Sequence, residues 1–333
     1  MNVMPRYVLF DCPPDDDFIS GLKQSTGHRW HTRYADGRAS VSKPLRLVRY
    51  FLFPLRFLLT TPGVEEIVAW QQFYGILAAA YLRLARRKIP VHILTFIYKP
   101  KGGLAGKLMY RLVDYALSGR NVGRVVVYSP DEVDTYSRLF PEAASKFAYL
   151  PLGIPSRLED EEEEDAGVPA AASPYVFAAG RSNRDYAPLK EAAERVGVDL
   201  RIACPEESAE GFSRTTVLAD CFGARMEREL RGAAIVAVPL ASAAVSSGQL
   251  ALLQGMRAGR PVVATDHPSL RPYVKPGETA LLVSGADGWE AALRRLLADP
   301  AEARRLGAAG RRHLLDRFTL LQLGRSVGTL IAP

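Results

Sequence analysis

Short apolar runs alternate with helical stretches along nearly the whole chain, and this alternation constrains the fold more than any other feature of the sequence. Residues 7–10, 66–70, 91–97, 124–129 and 147–152 read as strands in the first half. Residues 175–179, 200–203, 234–239, 261–264 and 280–283 do so in the second. Helical patterns lie between them, at about 74–87, from Pro130 onward, and at about 187–196, 289–297 and 301–317. Strands such as Val262-Val263-Ala264 are continuously apolar, as buried parallel strands are, and do not alternate. The expected class is α/β, with two doubly wound parallel domains that place ligands at the C-terminal ends of their strands.

The two halves are separated by Glu159 to Asp165, seven consecutive acids followed by Ala and Pro up to Pro174. Such a run repels itself and buries nothing, so 159–173 is expected to be a linker between a domain at 1–158 and one at 174–318. At 333 residues the chain has room for two separate cores. Charge is divided unevenly across the linker. Residues 1–158 carry 22 Lys/Arg against 12 Asp/Glu, whereas residues 159–333 carry 21 against 24. The first domain is therefore expected to face something anionic. Cys12, Cys204 and Cys221 are too far apart for a metal cluster or a disulfide framework and suit a reducing compartment. No signal peptide or spanning apolar run is present, which points to a cytoplasmic protein. His28 and His31 are neighbours in a polar, loop-like stretch without metal-ligand context. The glycine-rich dinucleotide fingerprint, the P-loop, and the zincin and serine-hydrolase motifs are all missing.

Residues 246–265, SSGQLALLQGMRAGRPVVAT, carry the sharpest local chemistry. A Ser-Ser-Gly turn opens a helix whose apolar positions Leu250, Leu253 and Met256 recur at helical spacing, and the helix ends at Gly259 before a strand. The first backbone N–H groups of such a helix have no intrahelical acceptor and sit at the positive end of its dipole, so they suit a phosphate.

In this company the second half resembles the nucleotide-sugar-binding domain of GT-B glycosyltransferases of the family 4 type. YVFAAGRSNRDY is similar to the family's first strand and Gly-Arg loop, VLADCFGARMERELRGAAIVAVPL to the segment approaching the base, and 246–265 to the Glu-x7-Glu helix with its following strand. HPSLRPYVKPGETALLV and LLADPAEARRLGAAGRRHLLDRF are similar to the family's ending, after which 319–333 would cross back as a helix onto the first domain. VVVYSPDEVDTYSRLFPEAASKFAYLPLGIP gives a weaker match ahead of the linker. The resemblance implies two Rossmann-like domains facing a cleft, and a donor that is a nucleotide-diphosphate sugar, UDP-linked. Gly180, Arg181 and Arg184 would hold the diphosphate, and Arg181 and Arg184 would stabilise it as the leaving group. Ser246, Ser247, Gly248 and Gln249 would add the helix start, and Gln254 a ribose acceptor. No cofactor and no metal are implied; Asp15-Asp16-Asp17 reads as a helix-start cap.

Two departures stand out. Ser246 and Gln254 occupy the positions of the family's two glutamates, which leaves the donor sugar open, and the family's His after the 91–97 strand is replaced by Tyr98-Lys99-Pro100-Lys101. On the acceptor side, KPLRLVRYFLFPLRFLLTT at 43–61 interleaves aromatic and Leu side chains with Arg46, Arg49 and Arg56, and Pro54 is expected to break any long helix there. Such a stretch suits a membrane interface, with Lys99, Lys101, Lys107 and Arg111 available to an acceptor's phosphate. The resulting expectation is a metal-independent, retaining transferase. It would act on a lipid-linked or surface-polysaccharide acceptor at the inner face of the plasma membrane, with no nucleic-acid partner. Alternatives are an inverting transferase with Asp15 as base, a sugar-nucleotide epimerase, and a non-catalytic partner subunit.

Overall fold

Val8, Leu9 and Phe10 are buried in strand β1 (Arg6–Phe10), an inner strand of a sheet that only helices on both faces could cover. The structure is a computed structural model. It describes residues 4–35, 43–156, 173–242 and 246–332, without the side chains of 43–47. Its contacts divide the chain into two units, 1–151 with 320–333, and 152–319.

In the first unit β1 is followed by α1 (Asp16–Thr26), β2 (Trp30–Tyr34), α2 (Lys43–Thr60), β3 (Glu66–Ala69), α3 (Gln72–Leu84) and β4 (Val91–Ile93). Then come α4 (Gly103–Ser118), β5 (Val122–Val127), α5 (Pro130–Leu139) and β6 (Phe147–Tyr149). The strands form one parallel six-stranded sheet in the order β2-β1-β3-β4-β5-β6. Pro130 opens α5 at its first turn, where its missing N–H costs nothing.

Three sequence readings change here. Residues 30–34, read as polar and loop-like, form the edge strand β2, with His31 packed against the Tyr7 ring at 5.4 Å. The strand expected over 91–97 is regular only to Ile93, and beyond it the Leu94 and Phe96 N–H groups make single bonds to the Ala69 and Val126 carbonyls at 2.9 and 3.2 Å. Pro54 does not break α2, which runs through it for 18 residues. Burial explains this: Phe57 and Leu58 enter the core, while Phe53 and Tyr50 pack on Tyr74 and Phe73 of α3 at ring distances of 4.5 and 5.7 Å. That packing outweighs the single helix hydrogen bond the proline forgoes. α4 was not foreseen at all, because its run begins with two glycines and carries scattered charge.

The second unit contains β7 (Tyr175–Ala179), α6 (Ala187–Val196), β8 (Asp199–Ala203), β9 (Thr215–Val217), α7 (Gly223–Gly232) and β10 (Ile235–Val238). α8 (Gln249–Arg257), β11 (Val262–Thr265), β12 (Leu281–Val283), α9 (Gly285–Ala298) and α10 (Pro300–Arg317) follow. Its sheet is also parallel and six-stranded, ordered β12-β11-β10-β7-β8-β9, with apolar clusters on both faces. The chain order reverses at β7, and the crevice beside such a reversal, at the carboxyl ends of the strands, is where α/β sheets bind ligands.

Leu152–Ser156, ahead of the acidic run, groups with this second unit: the Leu152 N–H donates to Tyr273 Oη at 2.8 Å and the Ile154 N–H to the Phe318 carbonyl at 2.9 Å. The acidic run itself lies outside the described residues. The last helix, α11 (Leu320–Ile331), belongs to the first unit and packs along α1.

Candidate functional site

The loops leaving β7, β10 and β11 at their carboxyl ends are joined into one framework in the second unit. After β7, Gly180 adopts φ +118°, and a Cβ there would lie 2.6 Å from the Arg184 guanidinium. Arg184 folds back under its own loop, donating from Nε to the Ala179 carbonyl at 3.1 Å and from Nη1 to the Ser182 carbonyl at 2.9 Å. Burial weighs against its charged form and lowers its pKa. Two of its donors thus hold the loop's shape. Arg181 points outward, 68 % exposed, with only a loose 3.4 Å ion pair to Glu206. The two arginines singled out together in the sequence therefore have different surroundings: Arg181 offers its charge to solvent, and Arg184 builds the turn.

Asn183 ties this loop to the next. At φ +54°, a conformation asparagine tolerates, its Nδ2 donates to the Ser242 carbonyl at 2.8 Å and to Ser247 Oγ at 3.0 Å. Its Oδ1 accepts from the Ser242 N–H at 3.0 Å. From the other side, buried His267 sets Nε2 2.9 Å from the Ser242 carbonyl, so that nitrogen carries the proton and Nδ1 accepts from the Ser269 N–H at 3.1 Å. Ser269 Oγ then donates to the Ser247 carbonyl at 2.9 Å. Neither Asn183, His267 nor Ser269 was assigned a role from sequence. An asparagine in a Gly-Arg loop and a His-x-Ser after a buried strand are the signals that stood there.

The turn held in this way, residues 246–248, opens α8. Gly248 caps the helix at φ +88°, and a Cβ would sit 3.1–3.2 Å from Leu240 and Val238. Only glycine fits without displacing these core side chains. The first helical bond runs from the Leu252 N–H to the Gly248 carbonyl at 2.9 Å, so the N–H groups of 249–251 have no helical acceptor. Gln249 is buried, and its amide donates to Ser246 Oγ at 2.6 Å. Gln254 lies half-buried one turn further along the helix. The framework thus unites Gly180, Arg184, Ser246, Ser247, Gly248 and Gln249 on one edge of the sheet.

The remaining candidates lie in the first unit. Asp15 caps α1, its Oδ1 accepting from the Asp17 and Phe18 N–H groups at 3.0 and 3.2 Å, while burial raises its pKa. Arg49 and Arg56 are exposed on α2, next to the exposed apolar side chains of Leu52, Leu55 and Leu59. The side chain of Arg46 lies outside the described residues. Lys99 and Lys101 are exposed in the loop after β4 and border hollows beside α4. Among the described residues, no cluster of three or more His, Cys, Asp or Glu side chains could hold a metal ion, and no helix is long and apolar enough to cross a membrane.

Residues 187–299 match the model of a family described as glycosyl transferases group 1. No curated protein sequence matches the chain. Among solved structures, sucrose-phosphate synthase from Thermosynechococcus elongatus is similar at 17 % identity and a TM-score of 0.67, with 98 % of each chain covered. HepE of Anabaena, solved with UDP-glucose, is similar at 15 % identity and a TM-score of 0.64, again over 98 % of each chain. WaaG, a glycosyltransferase involved in lipopolysaccharide biosynthesis, is similar at 14 % identity and a TM-score of 0.58, over 98 % of this chain and 99 % of that one. The architecture is accordingly the two-domain GT-B fold.

Proposed function

With a glycosyl transferases group 1 segment in its second unit and a GT-B architecture, this chain is, we propose, a glycosyltransferase that takes a sugar from a UDP-linked donor. The observation that carries the proposal is the 246–248 turn. It is fixed by Asn183 and Ser269, and it presents the first N–H groups of α8, which have no helical acceptor, on the same sheet edge as the Gly180–Arg184 loop. A helix start with open N–H groups on the same sheet edge as an exposed arginine suits a diphosphate. Diphosphate is the leaving group of the reaction, so these donors act where negative charge grows as the C1–O bond breaks. The N–H groups are already fixed by the fold and need no reorganisation when the bond breaks. Arg181, exposed on the outside of its loop, supplies a full positive charge.

Retention of configuration fits this arrangement. The acceptor hydroxyl attacks C1 from the side the diphosphate leaves, and its proton passes to the departing oxygen, so no protein base is needed. Asp15, the base an inverting reaction would use, already spends one carboxylate oxygen on two backbone N–H groups of α1. Neutralisation by N–H groups and Arg181 also makes a metal dispensable. The basic first unit, with Arg49 and Arg56 among exposed leucines on α2, supports a lipid-linked or surface-polysaccharide acceptor reached at the inner face of the plasma membrane.

Calorimetry with a panel of nucleotides and nucleotide sugars tests the donor. UDP and one UDP-sugar are expected to bind, and that sugar's slow hydrolysis should release UDP without added metal. A folded chain that binds no member of the panel would be a partner subunit, and the transferase reading would be lost. Interconversion of the free donor into its epimer would establish the epimerase instead.

A further inference from the structure

Beside α3 and α4, at the carboxyl ends of β3 and β4, the first unit contains two adjoining hollows of about 230 and 290 Å³. They share Tyr98, Lys101 and Gly106. The loop over them is pinned to the sheet edge. Thr95 Oγ1 donates to the Trp70 carbonyl at 2.5 Å, the Ile97 N–H to Gln72 Oε1 at 2.8 Å, and the Tyr98 N–H to Tyr136 Oη at 3.0 Å. Gly106 completes the wall. A Cβ on it would come within 1.9 Å of the Lys101 carbonyl, so the loop can lie against α4 only because that position is glycine.

The two hollows differ in character. The first is floored by Phe73, Ile76, Phe96 and Val113, with Met109 at its side and Lys99 and Lys101 at its rim. The second is bordered by Lys101, Lys107 and Arg111 against Tyr110. Among the described residues, no carboxylate lines either one. Outside, Leu104 and Leu108 of α4 and Ile97 of the loop are 56–75 % exposed, so an apolar path leads away from the first hollow. A greasy floor under a rim whose charged groups are all cationic matches a molecule that is apolar along its length and anionic at one end. The first hollow is smaller than an ordinary ligand pocket of roughly 300 Å³ or more, so it seats only the chain segment next to the head.

We infer that this pair of hollows binds a single-chain lipid phosphate, the apolar chain entering between α3 and α4 and the phosphate resting on Lys99, Lys101 and the neighbouring Lys107 and Arg111. The inference rests on the reading of this unit as acceptor-binding, and it narrows the acceptor to one carried on a single apolar chain. The remainder of the chain runs out over Leu104 and Leu108 toward a bilayer. The head sits at the carboxyl edge of the sheet, where an attached hydroxyl belongs for transfer.

Farnesyl phosphate titrated into the full chain by calorimetry is the test, with farnesol, short-chain phosphatidic acid and UDP as controls. Farnesyl phosphate is expected to bind, and farnesol about tenfold more weakly or worse, since charge-assisted contacts of roughly 1.5–3 kcal/mol are lost with the phosphate. Met109→Trp, which fills the hollow, and Lys101→Glu, which reverses the rim, should each weaken farnesyl phosphate by a similar factor while leaving UDP affinity and the thermal midpoint unchanged. Equal binding of farnesol, indifference to both variants, or equal competition by the two-chain phosphatidic acid would each overturn the assignment. Retained farnesyl phosphate binding in a chain that ignores UDP would sink the donor reading alone and leave this site standing.

Discussion

Asn183 reaches 64 residues along the chain to hold Ser247, its Nδ2 3.0 Å from the serine oxygen, and so couples the loop after β7 to the entrance of α8. A second bond from the same nitrogen to the Ser242 carbonyl, and one into Oδ1 from the Ser242 N–H, make this single amide the clasp of the proposed diphosphate site.

Asn183→Ala should therefore lower UDP affinity by about tenfold and cost about 1–2 kcal/mol of stability, because it removes three hydrogen bonds between the loops and puts alanine where asparagine tolerates positive φ better. Asn183→Gly restores the backbone freedom and not the bonds. It should recover part of the stability without recovering affinity. Calorimetry and thermal denaturation on both variants separate the two effects, and equal UDP affinity in all three proteins would refute the clasp.

Arg181 and Arg184 should separate by type of defect. Arg181→Ala is expected to leave the thermal midpoint unchanged and weaken UDP binding about tenfold or more, the loss of a charge-assisted contact. Arg184→Ala should destabilise the fold by about 1–3 kcal/mol through the unpaired Ala179 and Ser182 carbonyls, with Arg184→Lys rescuing little because it lacks the forked donors. The reverse pattern would show that the two roles have been exchanged.

The packing of α11 on α1 depends on close backbone approach. A Cβ at Gly324 would lie 2.2 Å from the Phe18 carbonyl, and one at Gly21 2.1 Å from the Leu321 carbonyl. Gly324→Ala should destabilise the protein by about 1–3 kcal/mol, as overpacking does, and expose the C-terminal helix to limited proteolysis. A wild-type digestion pattern would mean that the helices part at no cost.

His313 gives a pH signature. Burial in the second unit, reinforced by the nearby Lys275 and Arg317 charges, holds its pKa below the ordinary histidine value of about 6.5. The folded state then binds fewer protons than the unfolded chain just below that value, so stability is complete above about pH 6.5 and falls as the pH drops below it. His313→Phe keeps the edge-on packing with Phe318 and removes the titration. Its midpoint should change less than the wild type's between about pH 7 and about pH 5. An unchanged slope would clear His313 of the effect.

On α2, Leu52 and Leu59 are 56 % and 77 % exposed, so replacing both with Glu should leave stability within about 0.5 kcal/mol. If this face meets a membrane, the double variant loses co-sedimentation with anionic vesicles. Arg49→Glu with Arg56→Glu should lose it too, and wild-type binding should weaken as salt is raised. Undiminished sedimentation of both variants would exclude α2 as the contact.

The sequence was most legible where local pattern and final environment agree. The apolar runs at 175–179 and 261–264 are strands because an uncharged stretch of Val, Ala and aromatic side chains has only a doubly covered sheet to enter. The Ser-Ser-Gly turn was readable as a helix start because the open N–H groups follow from helix geometry alone. Pro54 misled because its local cost is small beside the burial of Phe57, Leu58 and their neighbours, which only the assembled core supplies. WHTRY at 30–34 misled in the same way: edge strands take their order from a neighbour, here β1, and need little apolar content of their own.

What the sequence determined by itself was the class: a parallel α/β architecture in two parts, with, in the second, a helix start whose first N–H groups are left open. What tertiary structure decided was the division of labour among side chains of the same type. Arg181 and Arg184 stand three residues apart with the same charge. One faces solvent and the other is folded under Gly180, because the direction of a side chain at the end of a strand is set by the carbonyls and packing around it. Asn183, His267 and Ser269 likewise acquire their roles only when loops far apart in the chain are brought to one sheet edge. Hydrogen bonds of that kind depend on distances of about 3 Å between groups that the sequence leaves far apart, and only the folded chain sets those distances.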